Sequence, residues 1–279
     1  MSFSRKRFGQ HFLEPAWVGK LLRAIAPAPD QTFLEIGPGH GALTRPLTER
    51  AHRVIAFEID RDLVSTLQDD APHHLRIVEG DFLRLTVDRL RDLLADNSRT
   101  PLRVVGNLPY NVASPILFKL IEFYAAGIPL RDATVMLQRE VAERLLAVPG
   151  TRDYGILTIL VGHRATIEPL LKLPPGAFRP PPRVHSALVK LTFHPPDPPV
   201  RDPAIFTSLV QAIFTRRRKT LTNALLAFSG SARLAPGSAL QQADLDGTRR
   251  PETFTIAELG RLADVHAARS EDRVLPEQG

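Results

Sequence analysis

Thr32-Phe33-Leu34-Glu35-Ile36-Gly37-Pro38-Gly39-His40-Gly41 reads as a short buried strand that ends in a glycine-rich turn. Glycines there let the backbone turn sharply and let a ligand approach it closely. The spacing is G-x-G-x-G, not the G-x-G-x-x-G that dinucleotide pyrophosphates prefer. Glu35, just ahead of the turn, disfavours a pyrophosphate and suits a cationic or amino-acid-bearing ligand. Outward from this stretch, between about residues 30 and 165, short apolar runs alternate with amphipathic segments. That is the pattern of a mostly parallel sheet with crossover helices. Strands are predicted at 32–36, 53–58, 75–79, 102–106 and 133–137, and helices at 15–26, 42–51, 61–70, 115–125 and 139–147. Two further apolar runs, 156–167 and 187–193, are predicted as the final strands. The fold class is therefore α/β, a Rossmann-like, doubly wound, mostly parallel seven-stranded sheet.

A chain of 279 residues can bury a large core and suggests one large domain with a smaller one. Composition is that of an ordinary globular protein, 43% hydrophobic and 24% charged, which excludes a disordered chain. Lys and Arg number 36 against 30 Asp and Glu, and the net charge of +6 points to a polyanionic partner. The basic residues cluster at Arg5-Lys6-Arg7, at Arg216-Arg217-Arg218-Lys219 and at Arg249-Arg250. Each short run taken alone is as consistent with a solvated face as with nucleic acid. With no cysteine there is no disulfide and no thiolate chemistry. No run of 18 apolar residues is present, so no membrane span is expected. The basic N-terminus lacks the apolar segment of a secretory signal, and the cytoplasm is the expected compartment.

Pro174-Pro175-Gly176-Ala177-Phe178-Arg179-Pro180-Pro181-Pro182 is too rich in proline for a helix or a central strand and reads as a stiff extended loop. A second proline-rich stretch, about 195–203, reads as a linker between a catalytic domain at 1–195 and a helical domain at 204–279. In the latter, Ile205, Leu209 and Ile213 form one apolar stripe, continued by Leu221, Leu225 and Phe228.

Chemistry concentrates at predicted strand ends. Asn107-Leu108-Pro109-Tyr110 follows the run Leu102-Arg103-Val104-Val105-Gly106. A side-chain amide and a nearby backbone carbonyl can accept both N–H bonds of an exocyclic amine. The proline fixes the backbone, and the tyrosine can stack on a base. Holding both N–H bonds out of the ring plane aims the nitrogen lone pair at an incoming methyl group. Asn-x-Pro-Tyr is also an ordinary turn after a strand. Glu58 ends the second strand 17 residues beyond Gly41, about where a carboxylate accepts from ribose hydroxyls. In Gly80-Asp81-Phe82, Asp81 can accept from an adenine amine and Phe82 can flank the ring. Glu58 is equally readable as a helix-starting acid and Asp81 as an N-cap. In a doubly wound sheet these ends converge on one crevice, and S-adenosyl-L-methionine, with ribose, adenine, carboxylate and sulfonium, satisfies all of them. No metal cluster or nucleophilic triad is evident, and His73-His74 reads as surface.

With these residues assembled, the chain resembles the ribosomal RNA adenine dimethyltransferases. The resemblance is carried by Lys6-Arg7-Phe8-Gly9-Gln10-His11-Phe12-Leu13, by Glu35 to Gly41, Glu58, Gly80-Asp81 and Gly106 to Asn111. It continues through Met136 to Ala142, Tyr154-Gly155, Phe178 to Ser186 and Arg217-Arg218-Lys219-Thr220-Leu221. The resemblance implies transfer of two methyl groups from S-adenosyl-L-methionine to N6 of each of two adjacent adenosines near the 3′ end of small-subunit (16S) ribosomal RNA, in an immature 30S subunit. It implies that His11 and Leu13 fold over the cofactor and that Gly37, Glu58, Asp81 and Asn107 bind it, beside Gly39 and Phe82, which are cofactor-binding candidates from their place at the strand ends. By the same resemblance Asn107, Leu108, Pro109 and Tyr110 hold the target amine, Phe178 walls the base, and Arg217, Arg218 and Lys219 bind RNA. Many members carry Asn where His11 stands, and a core phenylalanine is an equal reading of Phe178. A monomer without metal is expected. The alternatives are the related large-subunit methyltransferases that confer antibiotic resistance, or a non-catalytic RNA-binding assembly factor on the same fold. The latter would be expected to lose Glu58, Asp81 or the Asn107 motif.

Overall fold

A computed structural model describes residues 11–69, 71–95 and 101–271. The basic run at Arg5-Lys6-Arg7 and the first residues of the Lys6-to-Leu13 motif lie outside them. The described chain divides into two compact units. One runs up to Ala142 and takes in Thr166–Phe193; the other comprises Glu143–Ala165 and the residues from His194 on.

The first unit is built on parallel strands β2 (Thr32–Ile36), β3 (Arg53–Glu58), β4 (Leu75–Glu79), β5 (Leu102–Asn107) and β6 (Leu130–Gln138). Strand β1 is the short Phe12–Leu13 segment, β7 is Ala165–Leu173, β8 is Phe178–Arg179 and β9 is Ser186–Phe193. The seven-stranded sheet has the order β4-β3-β2-β5-β6-β9-β7, with β9 antiparallel to β6. Strand β2 pairs with β3 on one side and β5 on the other. The chain thus reverses its winding direction there, which opens a crevice above the carboxyl ends of β2 and β5. Every residue of β2 is buried, as expected of a central strand covered on both faces.

Around the sheet run α1 (Pro15–Ile25), α2 (Thr44–Thr48), α3 (Arg61–Gln68), α4 (Val87–Leu94) and α5 (Ala113–Ala125). Helix α3 buries Leu63, Val64 and Leu67 on one face, and the Asp60 side chain caps its N-terminus by accepting from the Asp62 N–H. Opposite the crevice, Arg103 on β5 pairs with Asp132 on β6 at 2.9 Å, with both side chains buried. The same guanidinium reaches the carbonyls of Ile25 and Ala26 and so satisfies the C-terminus of α1.

The proline-rich segment around Phe178 is extended as predicted but not free. Strand β8 pairs antiparallel with β1, setting Phe12 opposite Arg179 and Leu13 opposite Phe178. This two-stranded clasp fastens the N-terminal segment beside the crevice.

The second unit contains the end of α6 (Arg139–Leu145), then α7 (Ile156–Gly162), α8 (Pro203–Thr215), α9 (Leu221–Leu225), α10 (Pro236–Ala243) and α11 (Ile256–Glu271). Helix α8 packs against α7, α9 and α11. The run 156–167, predicted as a strand, is mostly helix α7, and the strand begins only at Ala165. Leu157 to Val161 are all buried, and a run in which only Thr158 is polar carries no period to separate helix from strand. The chain therefore places Glu143–Ala165 with the helical unit, although they precede the predicted linker. That linker is itself held inside the unit: His163 Nε2 bonds the Pro198 carbonyl at 2.7 Å, and the Asp197 N–H donates to the His163 carbonyl.

Candidate active site

A cavity of about 490 Å³ opens where β2, β3, β4 and β5 end, within the range of small-molecule sites. Its walls include Gly37, Gly39, Glu58, Asp81, Phe82, Asn107, Leu108, Pro109 and Tyr110, together with His11 and Leu13 from the N-terminal segment. Residues spread over about a hundred positions of sequence thus meet in one place because parallel strands end side by side.

Gly39 adopts φ +57, and a Cβ there would lie 3.0 Å from the Phe12 ring, so both conformation and space demand glycine. Phe12 lies over this turn and tilts against His40, ring centroids 4.2 Å apart. At Gly106 the constraint is close approach: a Cβ would fall 2.5 Å from the Ile36 carbonyl on β2.

Glu58 is only 4% exposed. Its Oε1 accepts from the N–H groups of Ile59 and Asp60 at 2.9 and 3.0 Å, and its Oε2 accepts from the Gly39 N–H at 3.1 Å. The carboxylate therefore ties the end of β3 to the glycine turn and presents a fixed acceptor edge to the cavity. The helix-starting role falls instead to Asp60, which caps α3, while Glu58 binds the two N–H groups of the link between β3 and that helix. For Asp81 the N-cap reading holds, and its place in the cavity wall is compatible with the adenine-binding one. Its Oδ1 caps the short turn at Phe82–Arg84 by accepting from the Leu83 N–H at 2.9 Å, while the residue still lines the cavity. Phe82 is 5% exposed and packs edge-on against Phe57 and Phe123, so the core holds its ring at the cavity wall.

Glu35 does not line the cavity. It lies beneath it, 2% exposed, with Oε2 lacking a hydrogen-bond partner among the described residues. Burial pushes its pKa up to about 7; the nearby Thr44 hydroxyl partly offsets this, and the Glu58 carboxylate adds to it.

At the end of β5 the Asn107 Nδ2 donates to the His11 carbonyl at 2.7 Å. A carbonyl can only accept, so the amide nitrogen must face His11 and Oδ1 is left for other donors. The Tyr110 hydroxyl and the Ser186 hydroxyl bond at 2.7 Å. Burial raises the pKa of Tyr110 and the Ser186 hydroxyl partly offsets it, so this ring stays a neutral phenol. Leu108 is 1% exposed and contributes an apolar wall. The sequence reading missed Phe12, which covers the glycine turn, and the Tyr110–Ser186 bond. No local pattern announces either one, because both contacts join segments far apart in the chain.

Phe178 does not line this cavity. It is 1% exposed in the core with Leu21, Ile25, Phe33 and Leu188, so the core-phenylalanine reading describes its place. The reason is its strand pairing: β8 turns the ring inward while seating Leu13 opposite it. In the helical unit Arg217 donates to the Thr151 carbonyl at 3.1 Å and faces Glu252 at 3.7 Å, whereas Arg216, Arg218 and Lys219 are exposed. Arg249 is likewise engaged, with Glu258 at 2.6 Å and over the Phe254 ring at 4.0 Å. Among the described residues no group of three or more His, Cys, Asp or Glu side chains could hold a metal ion, and no helix is long and apolar enough to cross a membrane. His73 is exposed, while His74 bonds the Thr48 carbonyl at 2.9 Å.

The chain is similar to known ribosomal RNA methyltransferases. A ribosomal RNA small subunit methyltransferase A from Aromatoleum aromaticum is 42% identical over 275 residues, covering 96% of each chain. A crystal structure of a dimethyladenosine transferase from Plasmodium falciparum, 24% identical, superposes with a TM-score of 0.75 over 93% of this chain and 98% of its own. The 23S rRNA methyltransferase ErmE is 26% identical with a TM-score of 0.61, over 92% and 99% of the two chains. The family described as ribosomal RNA adenine dimethylase matches residues 1–260, and the chain belongs to that family.

Proposed function

We propose that this chain transfers methyl groups from S-adenosyl-L-methionine to the N6 amines of two adjacent adenosines near the 3′ end of small-subunit ribosomal RNA, two to each. The observation that carries the reading is the orientation of Asn107. Its amide nitrogen is spent on the His11 carbonyl, so Oδ1 is the group that meets a substrate amine, at the end of the strand beside the glycine turn.

The residues present fit the cofactor. Glu58 offers a buried acceptor edge to ribose hydroxyls, and Asp81 can accept from an adenine amine. Phe82 and the 46% exposed Ile59 offer apolar faces for the ring. When bound, the cofactor supplies an electrophilic methyl on a sulfonium. The protein's own part is positioning: Asn107 Oδ1 accepts one N–H of the target amine, Tyr110 stacks on the base, and the apolar walls exclude water. In-line displacement needs no strong base, and orientation can supply most of the acceleration. The proton lost from the methylated amine passes to solvent. Leu108 leaves an apolar surface for a first methyl while a second is delivered.

Exposed Arg218 and Lys219 serve the RNA phosphates, and Phe178 to Ser186 with Arg217 to Leu221 favour the small-subunit over the large-subunit substrate. The chain keeps Glu58, Asp81 and Asn107 together, whereas a non-catalytic assembly factor would be expected to lose one of them. The test is methyl incorporation from labelled cofactor into naked small-subunit RNA, immature small subunits and large subunits in parallel. Label is expected in the small-subunit substrates; label confined to the large subunit would overturn the assignment.

A further inference from the structure

Tyr110 lies in the turn between β5 and α5, and Ser186 is the first residue of β9. Strand β6 stands between β5 and β9 in the sheet, so the 2.7 Å bond between the two hydroxyls reaches across the end of β6. Its two ends are held very differently. Ser186 is 2% exposed and in register with Gln138 on β6, and the carbonyl of the preceding His185 accepts from the Arg139 N–H at 2.9 Å. Strand β8, earlier in the same proline-rich segment, is pinned to β1. Tyr110 is half-buried on a turn, and without a contact at its tip the ring would be free to change its side-chain torsions. A buried hydroxyl in a strand that continues Ala187-Leu188-Val189 costs stability unless it is bonded, and the phenol of Tyr110 supplies that bond.

We propose that Ser186 is a positioning residue for methyl transfer: from the rigid sheet it fixes the plane of the Tyr110 ring, and through that ring the height at which the target adenine presents N6 to Asn107. The phenol stays neutral, so either hydroxyl of the pair can donate. The bond matters most at the second transfer. The monomethylated amine has one N–H left for Asn107 Oδ1, and stacking then carries more of the orientation. Ser186 touches neither the base nor the methyl group in this scheme; it acts only through Tyr110.

The inference rests on the proposed transfer to adenine and on Tyr110 as the stacking ring. Ser186→Ala and Tyr110→Phe each delete one oxygen of the same bond and leave the surrounding shape almost unchanged. Each should lower kcat for the second methyl by about tenfold, while cofactor affinity by calorimetry stays within about twofold. The double variant should be no slower than either single one, because the two changes remove one interaction. Ser186→Thr keeps the hydroxyl on a strand that favours branched side chains and should restore dimethyladenosine as the main product.

A second readout is independent of turnover. Tyr110, Tyr124 and Tyr154 are the three tyrosines of the chain, so ring-labelled tyrosine gives three NMR signals that Tyr110→Phe assigns. In Ser186→Ala the Tyr110 signal should shift and report faster ring motion, while the other two stay in place. A native ratio of dimethyl- to monomethyladenosine in Ser186→Ala, additive losses in the double variant, or an unmoved Tyr110 signal would overturn the inference. A lower melting temperature with the native product ratio would reduce the bond to a structural one. No transfer to adenosine by the native protein would fall on the proposed function instead, and the ring signal would still decide whether Ser186 holds Tyr110.

Discussion

Asn107 Nδ2 donates to the main-chain carbonyl of His11 across 2.7 Å, joining the end of β5 to the start of the N-terminal clasp. Asn107→Asp replaces that donor with an acceptor facing a carbonyl. The variant should lose methyl transfer and also destabilise the fold by about 1–3 kcal/mol, the cost of an unmade buried bond. Asn107→Ala should lose transfer with less effect on RNA binding, because the amide acts mainly on the reacting nitrogen. Turnover, RNA affinity and thermal melting of both variants check this; near-normal turnover in Asn107→Ala at saturating cofactor would refute the role.

Glu58 has two jobs, so its variants should separate them. Glu58→Ala strips acceptors from three backbone N–H groups as well as from a ribose, and both stability and cofactor affinity should fall. A charge-assisted bond is worth about 1.5–3 kcal/mol, so roughly a tenfold to hundredfold loss in affinity is expected by calorimetry. Glu58→Gln keeps one acceptor oxygen and should melt closer to the native protein while still binding cofactor weakly. Unchanged affinity in both variants would remove Glu58 from the cofactor site.

Glu35 should make stability depend on pH in an unusual direction. Its pKa rises from 4.5 to about 7 on folding, so the folded chain favours the protonated acid. Below the unfolded value the group is protonated in both states and costs nothing. As pH rises between the two values, stability falls, and above about 7 the loss is complete at about 3 kcal/mol. Glu35→Gln carries no charge, so its stability relative to the native protein should improve by about that amount from pH 4.5 to pH 8. Denaturant melts across this window measure it, and parallel curves for the two proteins would contradict it.

The basic run in the helical unit should divide by exposure. Neutralising Arg218 and Lys219 together should weaken RNA binding and lower the salt slope by about 0.7–0.9 per lost phosphate contact, leaving cofactor affinity alone. Arg217→Ala should instead cost stability, because it removes the bond to Thr151 and leaves Glu252 without its cation. An unaltered salt slope in the double variant would return those side chains to a solvated face.

The sheet was legible because β2, β3, β4 and β5 are short apolar runs bounded by turn residues, and parallel strands must end on one side. Glu58, Asp81 and Asn107 could be placed for the same reason, each standing at a strand end. Helix α7 was not legible, since Ile156 to Gly162 is apolar but for Thr158 and only its packing fixes its period. Phe178 and Arg217 show a different limit: motif position says nothing about which way a side chain turns. Phe178 turns inward because β8 pairs with β1, and Arg217 turns to Glu252. The contacts that finish the base pocket, His11 with Tyr110 and Tyr110 with Ser186, join residues 99 and 76 positions apart and leave no local trace.

The central claim is that one pocket delivers two methyl groups to one adenine nitrogen. Its most direct test is mass spectrometry of nuclease-digested small-subunit RNA after incubation of the immature subunit with the protein and S-adenosyl-L-methionine. N6,N6-dimethyladenosine at two adjacent positions near the 3′ end is expected, with the monomethyl form passing through a transient maximum. Monomethyladenosine as the sole product at long times, or no methylated adenosine at all, would contradict it.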